Sequence, residues 1–284
     1  MVSKTVSIID PSVTNTIAEN QVLSVSISDH GLEASVFNSG QSYVAGLECW
    51  DYNLDSDFAF IENVFDKIYS ESILLKKQFS KIIFLLDHPV YTLIPDQLFV
   101  ENKSKKYLEF NHSLNSGEKI SIDHLNEFQL RNIYWMPYEV VKTAEKTYNN
   151  AQYCHVITPL ILSLLKEKNA NANVILNFSG RRLDVLVFKE SRFVFCNSFF
   201  YESHADIIYF LMNVFTQTSV SPSSAVVKLC GEIKKDSAEL EIISKYFSNI
   251  SFAKPPSNFN YHQELLQIPL HNYYGILKSF KCAL

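Results

Sequence analysis

The sequence predicts an α/β protein built from two copies of one supersecondary unit, each with a mixed five-stranded sheet flanked by helices. Three observations carry this expectation. Residues 174–200 lie on residues 23–49 without a gap at an offset of about 151 positions, so that LEASVF at 32–37 meets LDVLVF at 183–188 and Ile27-Ser28 meets Phe178-Ser179. In each copy these strand-like segments precede a stretch with apolar residues at helical spacing, Phe58, Ile61, Val64, Phe65 and Ile68 in the first and residues 206–216 in the second. Each helix then gives way to a short apolar run, KIIFLL at 81–86 and its counterpart at 225–229, which suits a strand covered on both faces.

The elements follow in order. Residues 22–28 alternate apolar side chains with serine, the pattern of a strand with one wet face. Asp29-His30-Gly31 forms a turn, and 32–38 and 42–49 complete an antiparallel meander. A helix is expected after the cap-like Asp55-Ser56-Asp57, running to about Lys77, and then the strand 81–86. Residues 89–128 read as an insertion, opening with the apolar set Tyr91, Leu93, Ile94, Leu98 and Phe99 and continuing as a polar loop. Strand 133–136, helix 138–148 after Pro137, strand 153–156 and helix 158–168 with Pro159 in its first turn close the first half. The polar linker 169–173 separates the halves, giving domains at 20–169 and 170–284. The second copy supplies strands 174–179, 183–188 and 192–199, helix 206–216 and strand 225–229. Helix 237–247 and strand 250–253 come next, stopped by Lys254-Pro255-Pro256. A terminal amphipathic helix is expected at 270–280.

Composition narrows the function classes. With 47% hydrophobic and 13% aromatic residues among 284, the chain can fill substantial cores. A net charge of -5 without a long basic run excludes broad nucleic-acid binding, which needs clustered Lys and Arg. Cys49, Cys154, Cys196, Cys230 and Cys282 are single and widely spaced, which argues against a zinc or redox pair and for a reducing compartment. No signal peptide and no apolar run of roughly 18 residues is present, so a cytoplasmic protein without a membrane span is expected.

Three strands, a helix and a buried strand, duplicated in one chain, resemble the RNase H-like halves of the actin, sugar-kinase and heat-shock-chaperone ATPase superfamily, and within it the PilM-type pilus-assembly proteins. The segments YTLIPDQLF (91–99), IYWMP (133–137), CNSFFY (196–201) and LCGE (229–232) are similar to a Bacteroidetes domain-of-unknown-function family with an actin-like ATPase fold and no assigned activity. The resemblance spans residues 20–284.

That resemblance implies a nucleotide cleft at Asp29, Gly31, Ser179, Gly180 and Gly231. The phosphate-holding equipment departs from the superfamily pattern at each turn, however. Leu32-Glu33 replace the hydroxyl residues after Gly31, Ser179-Gly180-Arg181-Arg182 lacks an Asp, and Cys230-Gly231-Glu232 keeps one glycine beside an acid. Backbone N–H groups can wrap a phosphate only where side chains leave room, and the chain has seven glycines and no phosphate-loop motif.

The sequence-based expectation is therefore a non-catalytic binding or scaffold protein with no cofactor and no metal. The alternative is a nucleotide switch using Asp29 with ATP and magnesium. A third reading makes Asp29, Asp87 and Asp184 metal carboxylates, although Asp184 falls in the second copy. Asp87-His88 reads as turn chemistry rather than an acid-base pair, and Arg181 and Arg182 as a solvated hairpin tip. The other histidines show no ligand spacing, and Ser179 and Ser198 lack a nucleophile elbow. The expected contact with a partner protein, or with a second copy, is the set Tyr91, Leu93, Leu98 and Phe99.

Overall fold

A computed structural model describes residues 1–13, 20–54, 58–114, 118–166, 172–190 and 192–280. The expected cap at 55–57 and most of the expected linker lie outside the described residues. In chain order the elements are β1 (Ser3–Ile9), β2 (Gln21–Ile27), β3 (Gly31–Asn38), β4 (Tyr43–Asp51), α1 (Ile61–Glu71), β5 (Lys81–Leu86), β6 (Tyr91–Pro95), α2 (Ser104–Glu109), β7 (Lys119–Leu125), β8 (Leu130–Met136), α3 (Tyr138–Thr147), β9 (Ala151–His155) and α4 (Ile157–Ser163). They continue with β10 (Asn173–Ser179), β11 (Arg182–Lys189), β12 (Arg192–Phe200), α5 (His204–Gln217), β13 (Val226–Gly231), α6 (Ala238–Ser244), β14 (Ile250–Phe252), β15 (Asn260–Tyr261) and α7 (Tyr274–Ser279). The chain divides into two compact units, one of Met1–Pro159 with Pro256–Ile268 and Gly275–Leu284, the other of Leu160–Pro255 with Pro269–Tyr274.

The first unit contains a seven-stranded sheet of order β1-β4-β3-β2-β5-β9, with β15 also pairing β4. Its inner five strands, β4-β3-β2-β5-β9, have the same order as the five-stranded sheet β12-β11-β10-β13-β14 of the second unit. The hairpins are antiparallel and the remaining pairs parallel in both. Register repeats as well: Ile27 faces Leu32 across the first turn as Phe178 faces Leu183 across the second. A β-bulge falls between Val36 and Phe37 in one copy and between Val187 and Phe188 in the other. Bulges are specific local features rather than noise, so their coincidence at the 151-residue offset supports duplication independently of the strand order.

Central strands β2 and β10 are buried along their whole length, as strands covered on both faces must be. This corrects the expectation of a wet face on residues 22–28. Ser24 is buried and accepts a 2.9 Å hydrogen bond from the Ser279 hydroxyl, so at this position the serine marks a satisfied interior hydroxyl.

Helix α1 buries Ile61, Phe65 and Ile68, and its Phe65 ring lies 6.5 Å from that of Phe84 on β5. It ends at Glu71 rather than near Lys77, because the side chain of Glu48 captures the next three residues. The carboxylate accepts from the Ser72 hydroxyl at 2.6 Å and from the amides of Ile73 and Leu74 at 3.1 and 2.9 Å. Continued helix would have directed those amides to its own carbonyls. On the second unit's sheet, α5 begins with a capping box in which Ser203 and Asp206 satisfy each other's backbone amides. It buries Ile207, Leu211, Val214 and Phe215 in a cluster with Val174, Leu176, Val185 and Leu229.

The inserted region is not a loop. Strands β6, β8 and β7 form a separate three-stranded antiparallel sheet, which also takes up the strand expected at 133–136. Tyr91, expected on a partner-binding surface, is buried there, its ring 4.8 Å from His155. Residues before the first meander also join the sheet, β1 pairing with β4 along Ser3–Ile9. At the other end, the regular helix of residues 270–280 is confined to α7, and hydrogen-bonded turns occupy Leu270 to Tyr274.

Candidate functional site

In each unit a turn joins the first two strands of the meander, beside the end of the buried strand. The first turn is Ser28-Asp29-His30-Gly31. Ser28 Oγ accepts from the amides of His30 at 3.2 Å and Gly31 at 2.9 Å, and the Ser28 amide donates to the Gly31 carbonyl at 3.0 Å. The Asp29 carboxylate lies 2.6 Å from His30 Nδ1 and is nearly half exposed. Tyr52, at the end of the third strand, donates its hydroxyl hydrogen toward the Ser28 and Gly31 carbonyls at 2.9 and 2.8 Å. Burial, and then the charges of Asp29 and Asp87, hold the Tyr52 phenol well above its ordinary range.

The second turn, Ser179-Gly180-Arg181-Arg182, is its structural equivalent. Tyr201 takes the place of Tyr52: its amide donates to the Arg181 carbonyl at 3.1 Å, as that of Tyr52 donates to His30 at 3.0 Å. Its hydroxyl donates to the Gly180 carbonyl at 3.2 Å. Glu232 correspondingly takes the place of Asp87, their amides donating to the equivalent carbonyls of Phe178 and Ile27 at 2.8 and 2.9 Å. The Glu232 carboxylate then accepts from the Gly180 amide at 3.1 Å.

Glycine at 231 has a separate cause. Its φ is +75°, and an added Cβ would stand 2.0 Å from the Phe178 carbonyl oxygen. The glycine lets β13 close tightly against β10.

Arg182 is not part of a solvated tip. It is 5% exposed, and its Nε lies 2.9 Å from Asp184. Asp184 also accepts from Ser198 Oγ at 2.6 Å and Asn177 Nδ2 at 2.9 Å. Committed to these three donors, Asp184 is a buried ion-pair member and not a metal carboxylate. Cys230, bonded through Sγ to Asn177, has its thiol pKa pushed up by burial and by Asp184.

At Asp87-His88 the histidine ring is engaged by backbone groups. The His88 ring is buried, its Nδ1 receiving the Val90 amide at 3.2 Å and its Nε2 facing the Trp135 carbonyl at 2.9 Å. That pattern assigns a neutral Nε2–H tautomer. His155 repeats it, with the Ile157 amide at Nδ1 and the His88 carbonyl at Nε2. Among the described residues, no group of three or more His, Cys, Asp and Glu is placed to hold a metal ion.

Three carboxylate centres in the first unit were missed from sequence. Glu48 has a fully buried side chain and accepts from Lys4 at 3.2 Å and Ser7 at 3.3 Å as well as from the turn after α1. Asp123, on β7, accepts from Thr158 Oγ1 at 2.7 Å, the His155 amide at 2.9 Å and Tyr134 Oη at 3.0 Å, and burial raises its pKa. It fastens the small sheet to the end of β9. Asp10 accepts from Tyr43 Oη at 2.5 Å and lies 3.1 Å from His262 Nδ1, the hydrogen bond from Tyr43 being the main reason its pKa falls to about 2. The available signal was clearest for Glu48, an acid set within the apolar strand β4, which shows that a partner exists without naming it.

The structural relatives agree with this architecture. A Bacteroides thetaiotaomicron protein with an actin-like ATPase fold and unknown function matches over 84% of this chain and 92% of its own, at 18% identity and a TM-score of 0.73. A chain of the PilM–PilN type IV pilus biogenesis complex matches over 90% of this chain and 96% of its own, at 12% identity and a TM-score of 0.59. No curated protein matches the sequence. Residues 10–250 match the family described as "Protein of unknown function (DUF3822)"; the chain belongs to that family and has the actin-like ATPase fold.

Proposed function

We propose that this chain is a binding or scaffold module that keeps the actin-like ATPase fold without turning over nucleotide. The observation that carries the reading is the occupation of both turns by the chain's own oxygens, Ser28 Oγ in the first unit and the Glu232 carboxylate in the second. A phosphate would have to displace a good acceptor at one turn and approach a like charge at the other. The reading includes no resident cofactor. It includes a cytoplasmic location, where the thiols of Cys49, Cys154 and Cys230, all buried and outside any disulfide, stay reduced. Among the described residues no helix is long and apolar enough to cross a membrane.

A protein partner is part of the reading, and a PilM–PilN complex among structures of the same fold fits it. The small sheet offers Leu98, 67% exposed, and Phe110, 88% exposed, with Leu93 and Phe99 half-buried. Tyr91 is excluded by its burial.

The competing reading is a magnesium-ATP switch on Asp29. It is favoured by one observation, the convergence of Asp29 and Asp87 on Tyr52, which gathers two carboxylates at the ends of neighbouring parallel strands. Calorimetric titration with magnesium-ATP separates the two. The scaffold reading expects no saturable heat, whereas a micromolar site lost in Asp29→Ala would establish the switch.

A further inference from the structure

We propose that Asp10, Tyr43 and His262 form a binding site for one divalent transition-metal ion of the zinc class, a centre within the first unit that fastens three separate segments of the chain. The donor atoms already converge. Tyr43 Oη lies 2.5 Å from Asp10 Oδ2, His262 Nδ1 lies 3.1 Å from the same oxygen, and Oη and Nδ1 are 3.2 Å apart. Donors bound to one zinc ion at about 2.0–2.2 Å stand roughly 3 Å from one another, so a triangle of this size lets a single ion reach all three corners.

The backbone sets the meeting point. Two strands share the outer edge of β4, β15 pairing at Tyr43 and Val44 and β1 from Gly46 onward. Asp10 follows β1 directly, and its amide donates to the Ala45 carbonyl at 2.8 Å. His262 follows β15 directly, and its amide donates to the Val44 carbonyl at 3.0 Å. Tyr43 is the first residue of β4. The Ser12 amide holds Asp10 Oδ1 at 2.7 Å, leaving Oδ2 to the phenol and the imidazole. Outer hydrogen bonds of this kind orient the ligands of metal sites. The Asp10 and His262 side chains are 18% and 19% exposed, so an ion can enter and water can complete its coordination.

The donor chemistry selects the ion. Imidazole beside two oxygen donors suits zinc and its neighbours, whereas magnesium and calcium prefer all-oxygen shells of higher coordination number. Among the described residues, the groups that hold Asp10 are Tyr43, Ser12 and His262, none with a fixed positive charge, and a dication supplies that countercharge. Without metal, burial and Asp10 push the Tyr43 phenol up to about 12, so it keeps its proton near neutral pH. On binding, the phenol O–H bond breaks, the phenolate oxygen joins the ion and the proton passes to solvent. His262 contributes the Nδ1 lone pair while its proton resides on Nε2. The site is separate from the first hairpin turn, since Tyr43 begins β4 and Gly31 lies opposite Asp51 at its far end.

Calorimetric titration of the chelator-treated full chain with zinc chloride near neutral pH, in two buffers of different ionisation enthalpy, tests this. One equivalent of zinc is expected to bind with micromolar affinity and to release about one proton. Tyr43→Phe removes only the phenol oxygen. It should weaken zinc roughly 100-fold and abolish the proton release, an effect that a purely structural tyrosine would not have. His262→Ala should lose the site, and millimolar magnesium should not compete for it. Cooperative melting of each metal-free variant shows that loss of binding is not loss of the fold. Absence of saturable zinc binding in the wild type, wild-type affinity in His262→Ala, or unchanged proton release in Tyr43→Phe would each overturn the proposal.

Discussion

The Gly180 amide donates to the Glu232 carboxylate across 3.1 Å, so the turn between β10 and β11 is tied to the residue that follows β13. The bond is solvent-exposed, and its contribution to stability is modest, about 0.5–1.5 kcal/mol. Glu232→Ala should therefore lower the denaturation midpoint slightly and, with Ser28 still filling the other turn, confer no magnesium-ATP binding. Chemical denaturation and calorimetry of the variant check both halves.

Gly231→Ala should be far more damaging. The added methyl group meets the Phe178 carbonyl in a backbone region that suits glycine, and no flexible side chain is available to yield. A loss of about 3 kcal/mol or more is expected in urea unfolding, without any ligand present.

Glu48→Ala should cost about 3–5 kcal/mol, because it strands the Lys4 ammonium and the donors of Ser72, Ile73 and Leu74. Glu48→Gln keeps one carbonyl acceptor and should lose about half as much. The same unfolding measurement ranks the two.

The two other carboxylate centres respond to pH with opposite sign. Asp10 titrates near 2 in the folded chain, below its unfolded value, so its contribution is present above about pH 4 and is lost as the pH falls toward 2. Asp123 is raised by burial, so the folded state keeps its proton to higher pH and its contribution declines as the pH rises above about 4. Asp10→Asn should remove part of the acid sensitivity between pH 4 and 2, and Asp123→Asn should flatten the stability curve above pH 4. Denaturation midpoints across pH for each variant test the assignment.

Tyr91→Ser should destabilise by about 2–4 kcal/mol, as expected for emptying a site packed against His155. Leu98→Ser, at an exposed position, should stay within about 0.5 kcal/mol of wild type. Paired thermal melts distinguish the interior of the small sheet from its surface.

Much of the architecture was legible because it is written twice. The matched hairpins at 27/32 and 178/183, the helix after each meander and the buried strand that follows it were read from segments whose apolar period matches at one offset, whereas the shared bulge and the strand order came from the structure. What escaped depended on long-range partners. β1 lacks a clear period because it lies at the sheet edge, half exposed. The end of α1 is set by Glu48, distant in sequence, and Ile73, Leu74 and Leu75 prolong the helical pattern past the true stop. Arg182 looked solvated because its neighbour Arg181 is exposed, while hairpin alternation turns Arg182 inward onto Asp184. Sequence located both hairpin turns by position. It could not reveal that Ser28 and Glu232 fill them, because those bonds depend on the folded backbone.

The most direct test of the account is a thermal scan of the wild-type chain with and without saturating magnesium-ATP. A ligand at 1,000 times its dissociation constant stabilises by about 4 kcal/mol when it binds the folded state alone. The account predicts no change in melting temperature. A rise of several degrees that vanishes in Asp29→Ala would contradict it and make the first turn a working nucleotide site.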